Sequence, residues 1–313
     1  MKRIVAIMFA GVFFLLPATS WSAPPFDLIA TLQALLTQVA ALQATVADLQ
    51  SQVATLQAGT VANLGKYVSV DDTANRITVL GANLQIVNGT GSTFSVNGKG
   101  NLIIGYDKMR INENSGFSCS DGKYNNQTEC NIHNEVWAIN HKSGSHNLVI
   151  GDKHNYSRAV GFVAGDSSTI NGDVATVIGG GLNTAYRYSS IFGAHRSNAT
   201  GFLSTVCGGS GNTASGNTST VCGGGGNIAS GQSATVSGGA SNTASGYIST
   251  VSGGEQNISV GDTSSTVCGG YFNTASGRRA TVVGGSNNTA SGEESTARGG
   301  YNNTVSIYRD YLP

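Results

Sequence analysis

The side chains able to do chemistry are few, and most gather in one stretch. His133, His141, His146 and His154 lie near Asp107 and Asp152, residue types that ligate metals. No pair among them has the compact spacing of a zinc site, so no metal is assigned. Cys119 and Cys130 stand eleven apart in the same stretch, and in an exported chain they are expected to pair as a disulfide. Cys207, Cys222 and Cys268 are of a different kind, because they occupy one column of a repeat. In-register parallel strands seldom give good disulfide geometry, so these read as small outward residues, Cys268 as a free thiol.

Glycine-rich motifs carry no chemistry either. Gly208-Gly209-Ser210-Gly211-Asn212-Thr213 has Thr213 where a calcium-binding nonapeptide needs Asp. Gly224-Gly225-Gly226 lies in a repeat with no helix after it, so it is not a dinucleotide loop. No Ser-His-Asp or paired-carboxylate arrangement stands out. The expectation is a non-enzyme without a cofactor.

The elements that position these residues are set by the repeat. From Ser204 to Ser306 units open at Ser204, Ser219, Ala234, Ser249, Ser265, Ala280 and Ser295, a step of 15 residues with one step of 16. So short a period makes the fold one-dimensional. Thr205, Thr220, Thr235, Thr250, Thr266, Thr281 and Thr296 fill one column, and Val206 to Val282 with Ala297 fill the next. The following column varies: Cys207, Cys222, Ser237, Ser252, Cys268, Val283, Arg298. Strand side chains alternate, so Val faces inward while Thr and the variable residue face out. A Gly-Gly pair ends this strand, an Asn column from Asn212 to Asn303 follows, and a second strand of the Thr-Ala-Ser type closes on another Gly. Stacked Asn amides are expected to bond to one another along the fibre. Less regular units reach back through Ser189–Gly193, Ala175–Gly180, Gly161–Gly165 and Asn147–Gly151, with Asn101–Gly105 as the first coil. The fold class is mainly β: a parallel β-roll spanning 101–306, interrupted by an insertion at 109–145, with 307–313 as a C-terminal cap.

Upstream, Met1-Lys2-Arg3 and the apolar run Ile4–Leu16 read as a signal peptide over 1–22, which sends the protein out of the cytoplasm. No later segment is expected to cross a bilayer, so no membrane insertion follows cleavage. Leu28, Leu35, Leu42, Leu49 and Leu56 take one core position of a coiled coil within 26–58; Leu32, Val39, Val46 and Val53 take the other. Unbroken 3.5-residue spacing favours self-association. Val at one core position and Leu at the other lean towards two strands, and flanking glutamines set no ionic register. Residues 59–100 read as a β neck: Lys66–Val70 and Arg76–Leu80 form a hairpin, and Asn83–Val87 continues the β segment.

A formal net charge of zero with 11% charged residues excludes a nucleic-acid or anionic-lipid footprint. Glycine at 44 of 313 residues, without a collagen triplet, agrees with turn-dense repeats.

Gly216-Asn217-Thr218-Ser219-Thr220-Val221-Cys222-Gly223 and Ala229-Ser230-Gly231 resemble the head repeats of YadA-like trimeric adhesins. The resemblance implies a left-handed roll, a neck, a coiled-coil stalk and a homotrimer. Those adhesins put the head first and end in a membrane barrel, whereas here the coiled coil comes first. Asn-Leu-Ile-Ile-Gly and Ser-His-Asn-Leu-Val-Ile-Gly are similar to segments in a wider set of secreted bacterial repeat proteins. The expected function is adhesin-like binding by a secreted or surface-attached bacterial fibre to matrix, cells or solid surfaces. A structural spacer and an ice-binding roll are the alternatives.

Overall fold

The computed structural model describes residues 28–58, 64–109, 117–120, 126–133, 135–138 and 140–312. The signal segment at 1–22 lies outside them. Backbone contacts divide the chain into two units, Met1–Leu84 and Gln85–Pro313.

In the first unit, α1 (Leu28–Ala58) is a helix of 31 residues. Ala, Leu and Gln supply its propensity, and Thr37, Thr45 and Thr55 return their hydroxyls to carbonyls four residues back. The whole Leu/Val seam is exposed, from 44% at Val39 to 72% at Leu56. Leu28–Leu56 is also long and apolar enough to cross a membrane, which corrects the expectation that no segment after the signal peptide is. Only Asp48 is charged in it. The hairpin pairs β1 (Val68–Asp71) with β2 (Arg76–Val79), antiparallel and in register from Val68↔Val79 to Asp71↔Arg76. Its turn is set by the Asp71 carboxylate, which accepts from the Thr73 and Ala74 amides and the Thr73 hydroxyl.

Asn83–Val87 forms no strand, contrary to expectation. From Gln85 the chain belongs to the second unit. The Asn88 amide donates to His146 Nε2, the Asn97 amide to Ser145 Oγ and the Gly98 amide to the Ser143 carbonyl.

The second unit is a parallel β-solenoid with coils of about fifteen residues. Most coils give one strand to a 15-stranded sheet and one to an 11-stranded sheet. Register is kept from coil to coil, as in Thr205↔Thr220, Val206↔Val221 and Ala214↔Ala229, with one shift between Ile178 and Gly181. β3 (Leu102–Ile104) pairs in parallel with Leu148–Ile150, so the insertion leaves the ladder unbroken. The ladder runs past Ser306: Tyr311 and Leu312 pair with Thr296 and Ala297 as one more strand, where a separate cap was expected.

The core is one side chain thick. Val206, Val221, Val236, Val251, Val267 and Val282 face Ala214, Ala229, Ala244, Ala275 and Ala290 across it, all with 0% exposure. The opening Ser/Ala column is buried as well, and the Ser204, Ser219 and Ser249 hydroxyls there have no partner. The Asn column is fully buried from Asn212 to Asn288 and bonds differently from the expected amide stack. Asn227 Oδ1 accepts the Asn242 backbone N–H at 2.9 Å, while Nδ2 donates to the Gly223 carbonyl of its own coil and the Gly239 carbonyl of the next, each at 2.9 Å. Every bond goes to backbone, pairing N–H and C=O groups on the inner side of the turn. Ser197 substitutes in this column by accepting the Asn212 amide through Oγ at 3.2 Å.

Glycine is required where coils touch. A Cβ on Gly224, at φ +80°, would lie 2.0 Å from the Gly239 carbonyl oxygen, whereas one on Gly223 would meet open space.

The buried columns predict opposite responses to alanine. Asn227→Ala strands the Asn242 amide and two carbonyls and is expected to destabilise by on the order of 3 kcal/mol. Ser219→Ala removes an unpartnered hydroxyl and is expected to be neutral or stabilising by about 0.5 kcal/mol. Urea unfolding, with amide exchange at Asn242, measures both.

Candidate binding surface

Four outward surfaces are built on the coils. On the first sheet the Thr column is half-buried and the next column is exposed, as alternation requires. That exposed column runs Phe192, Cys207, Cys222, Ser237, Ser252, Cys268, Val283, Arg298. The second sheet presents Thr213, Ile228, Thr243, Ile258, Thr274, Thr289 and Thr304 beside a column of Ser and Val260. From Ser204 to Gly254 no residue is charged.

The two turn edges carry the widest chemistry, and sequence reasoning did not single them out. One edge presents Phe202-Leu203, Asn217-Thr218, Gln232-Ser233, Tyr247-Ile248, Thr263-Ser264, Arg278-Arg279, Glu293-Glu294 and Tyr308-Arg309 on successive coils. The second residue of each pair has a left-handed φ, from +52° at Ser264 to +58° at Leu203. Bulky residues rarely adopt this conformation. From Thr218 onward each such N–H donates to the previous coil, as Thr218 does to the Phe202 carbonyl at 2.7 Å and Ile248 to the Gln232 carbonyl at 2.9 Å. The single 16-residue step falls on this edge, where Asp262 is added and exposed. The other edge presents Ala240-Ser241, Glu255-Gln256, Tyr271-Phe272, Ser286-Asn287 and Tyr301-Asn302. Tyr271 and Phe272 pack edge to face with centroids 4.4 Å apart.

The last coils carry charge again, in pairs. Arg278 pairs with Glu293 at 3.3 Å, and Glu294 bridges Arg279 at 3.0 Å and Arg309 at 2.7 Å. Hydrogen bonds from Arg309 and Arg279 hold the Glu294 carboxyl below its ordinary range. Exposed pairs such as these contribute little stability.

The insertion supplies the non-repetitive surface. Ser118–Cys119 pairs antiparallel with Trp137–Ala138, and α2 (Gln127–Ile132) lies between them in sequence. Asn126 caps α2 by accepting from the Glu129 amide. Cys119 and Cys130, both fully buried, are bonded through sulfur with Cα atoms 5.6 Å apart. Phe117 stacks on Trp137 at 6.3 Å.

The histidines are dispersed. His154 is buried with both ring nitrogens engaged: Nδ1 accepts the Ser168 amide and Nε2 donates to the Ile150 carbonyl. His146 accepts the Asn88 amide through Nε2 and donates from Nδ1 to the Thr93 carbonyl. His133 sits at the end of α2 against the Glu129 carbonyl. Among the described residues no group of three or more His, Cys, Asp or Glu is placed to hold a metal. Asp107 instead joins Lys142 and Tyr156. Its carboxylate pairs with Lys142 Nζ at 2.8 Å, accepts the Tyr156 hydroxyl at 3.1 Å and accepts the His154 amide at 3.1 Å. This cluster anchors the start of the insertion to the first coils. Asp152 is held below its ordinary range, chiefly by the Lys108 amide.

No protein-family model matches the chain, and no curated protein matches it.

Burial, then the Asp107 carboxylate, push the Tyr156 phenol above its ordinary value of 10.0. Above that value the unfolded chain loses this proton and the folded one keeps it, so stability falls as pH rises from about 10. The Tyr156→Phe variant is expected to lack this alkaline decline, which urea midpoints measured from pH 8 to 11 would show.

Proposed function

We propose that the chain is an exported, homo-oligomeric, adhesin-like fibre that binds extracellular matrix, cells or solid surfaces through repetition, without catalysis or a cofactor. The observation that supports this most is the seam of α1. Nine Leu and Val side chains at unbroken heptad spacing are all exposed within one chain, and burying them against copies of the same helix is strongly favoured in water. Gln38, Gln43, Gln50 and Gln52 with Asp48 suit that packing better than a lipid environment. Three helices joined this way would carry three rolls, in the manner of YadA-like trimeric heads, and give each contact high effective concentration.

The contact surfaces are the two turn edges, the exposed column beyond Thr and the disulfide-bonded insertion. Their side chains change from coil to coil while the backbone does not. The same irregularity, mixing Cys, Ser, Val and Arg298 in one column, weighs against an ice-ordering face.

The mass in solution of the chain from Ala23, beside that of a version lacking Phe26–Leu56, tests the reading. A trimer that becomes a monomer on deletion supports it, and retention on matrix-coated or solid surfaces should then fall by about 100-fold or more. A monomer in both cases, or flotation of the longer chain with lipid vesicles, would overturn the oligomer and assign α1 to a membrane.

A further inference from the structure

Cys207 and Cys222 are held side by side on the outside of the roll. Val206 and Val221 are direct partners in parallel register, so the cysteines that follow them stand opposite one another on adjacent coils. The Cys207 amide donates to the Val221 carbonyl at 2.9 Å, and the Cys222 amide to Val236 at 2.9 Å, which fixes both Cα positions. Neighbouring strands lie about 4.8 Å apart. Both thiols are unbonded and exposed, in one column of adjacent coils. Partial burial, then the neighbouring Cys222, push the Cys207 thiol above its ordinary value. Two thiolates here would repel, and a cation between them would remove that repulsion. The next coils carry Ser237 and Ser252 in the column, and Cys268 has no cysteine beside it.

We propose that Cys207 and Cys222 form a two-coordinate site for a soft monovalent d10 ion, Cu(I) being the reference case. Thiolate is the ligand type such ions select, and two sulfurs on rigid strands suffice where a third ligand is not demanded. Binding breaks two S–H bonds, releases two protons to water and forms two sulfur–metal bonds. No electron is transferred. The register of the coils does the positioning, so the site needs no loop to close and does not depend on how many chains associate.

The test is an anaerobic titration of the full mature chain with Cu(I) held by the chromophoric chelator bathocuproine disulfonate. No thiol reductant is added, so Cys119–Cys130 stays bonded. The expected result is one tightly held Cu(I) per chain, with two sulfur neighbours by X-ray absorption. Cys207→Ser and Cys222→Ser should each weaken binding by about 100-fold or more, close to 3 kcal/mol. Cys268→Ser should leave it unchanged. Serine already fills this column in two coils, so the single variants are expected to fold, and amide exchange of the neighbouring Val236 checks it. Uptake that survives Cys222→Ser, uptake lost equally with Cys268→Ser, or a Cys207–Cys222 disulfide in the protein as isolated would each overturn the proposal.

Discussion

A coil only two strands thick has almost nowhere to put its backbone polar groups, and the buried Asn column answers that constraint. The turn between the two strands is exposed on its outer side, but the N–H and C=O groups it directs at the buried Asn would cost a few kcal/mol if left unpaired. One Asn side chain serves three of them at once, joining its own turn to the next coil through Gly223, Gly239 and Asn242. The Val and Ala columns can then meet across the core, because the turn holds the sheets at a fixed separation. Glycine at Gly224 follows from the same closeness, since any Cβ would overlap the next coil's carbonyl.

Much of this was legible in the residue spacing. The period, the inward Val column, the outward variable column and the exposed heptad seam all rest on simple alternation, and the register in Val206↔Val221 agrees with it. The insertion was also readable, as the gap between Asn101–Gly105 and Asn147–Gly151. What escaped were features whose residue types are ambiguous. Ser219 is polar yet buried, which its type alone does not announce. Asn227 reads as a turn residue, and nothing in its type says that its amide points inward to backbone. Tyr311 and Leu312 lack the repeat's glycine grammar yet continue its ladder, since pairing needs only an extended backbone.

The candidate surface was legible in smaller part. The variable column and the insertion could be read from the sequence, whereas the turn edges could not. Their left-handed positions hold Leu203, Ile248, Arg279 and Glu294, types that would argue against that conformation in isolation. At Ile248, Arg279 and Glu294 an intercoil N–H bond offsets the strain, and this cannot be inferred from any one coil. The histidine group was the reverse case, a compositional cluster dispersed by folding. His154 and His146 spend both ring nitrogens on the backbone, and Asp107 is taken by Lys142 and Tyr156.

The lone 16-residue step shows how such a chain tolerates change over time. Its extra residue is absorbed in one turn edge, and the strands on either side, Thr250–Val251 and Thr266–Val267, remain direct partners. An insertion that would shift every later side chain in an ordinary sheet is here confined to a single bend. Gains and losses of whole coils should be equally mild, because each coil bonds only to its two neighbours. The roll can therefore lengthen or shorten by duplication or loss of one coil's coding sequence, with its two ends left as they were.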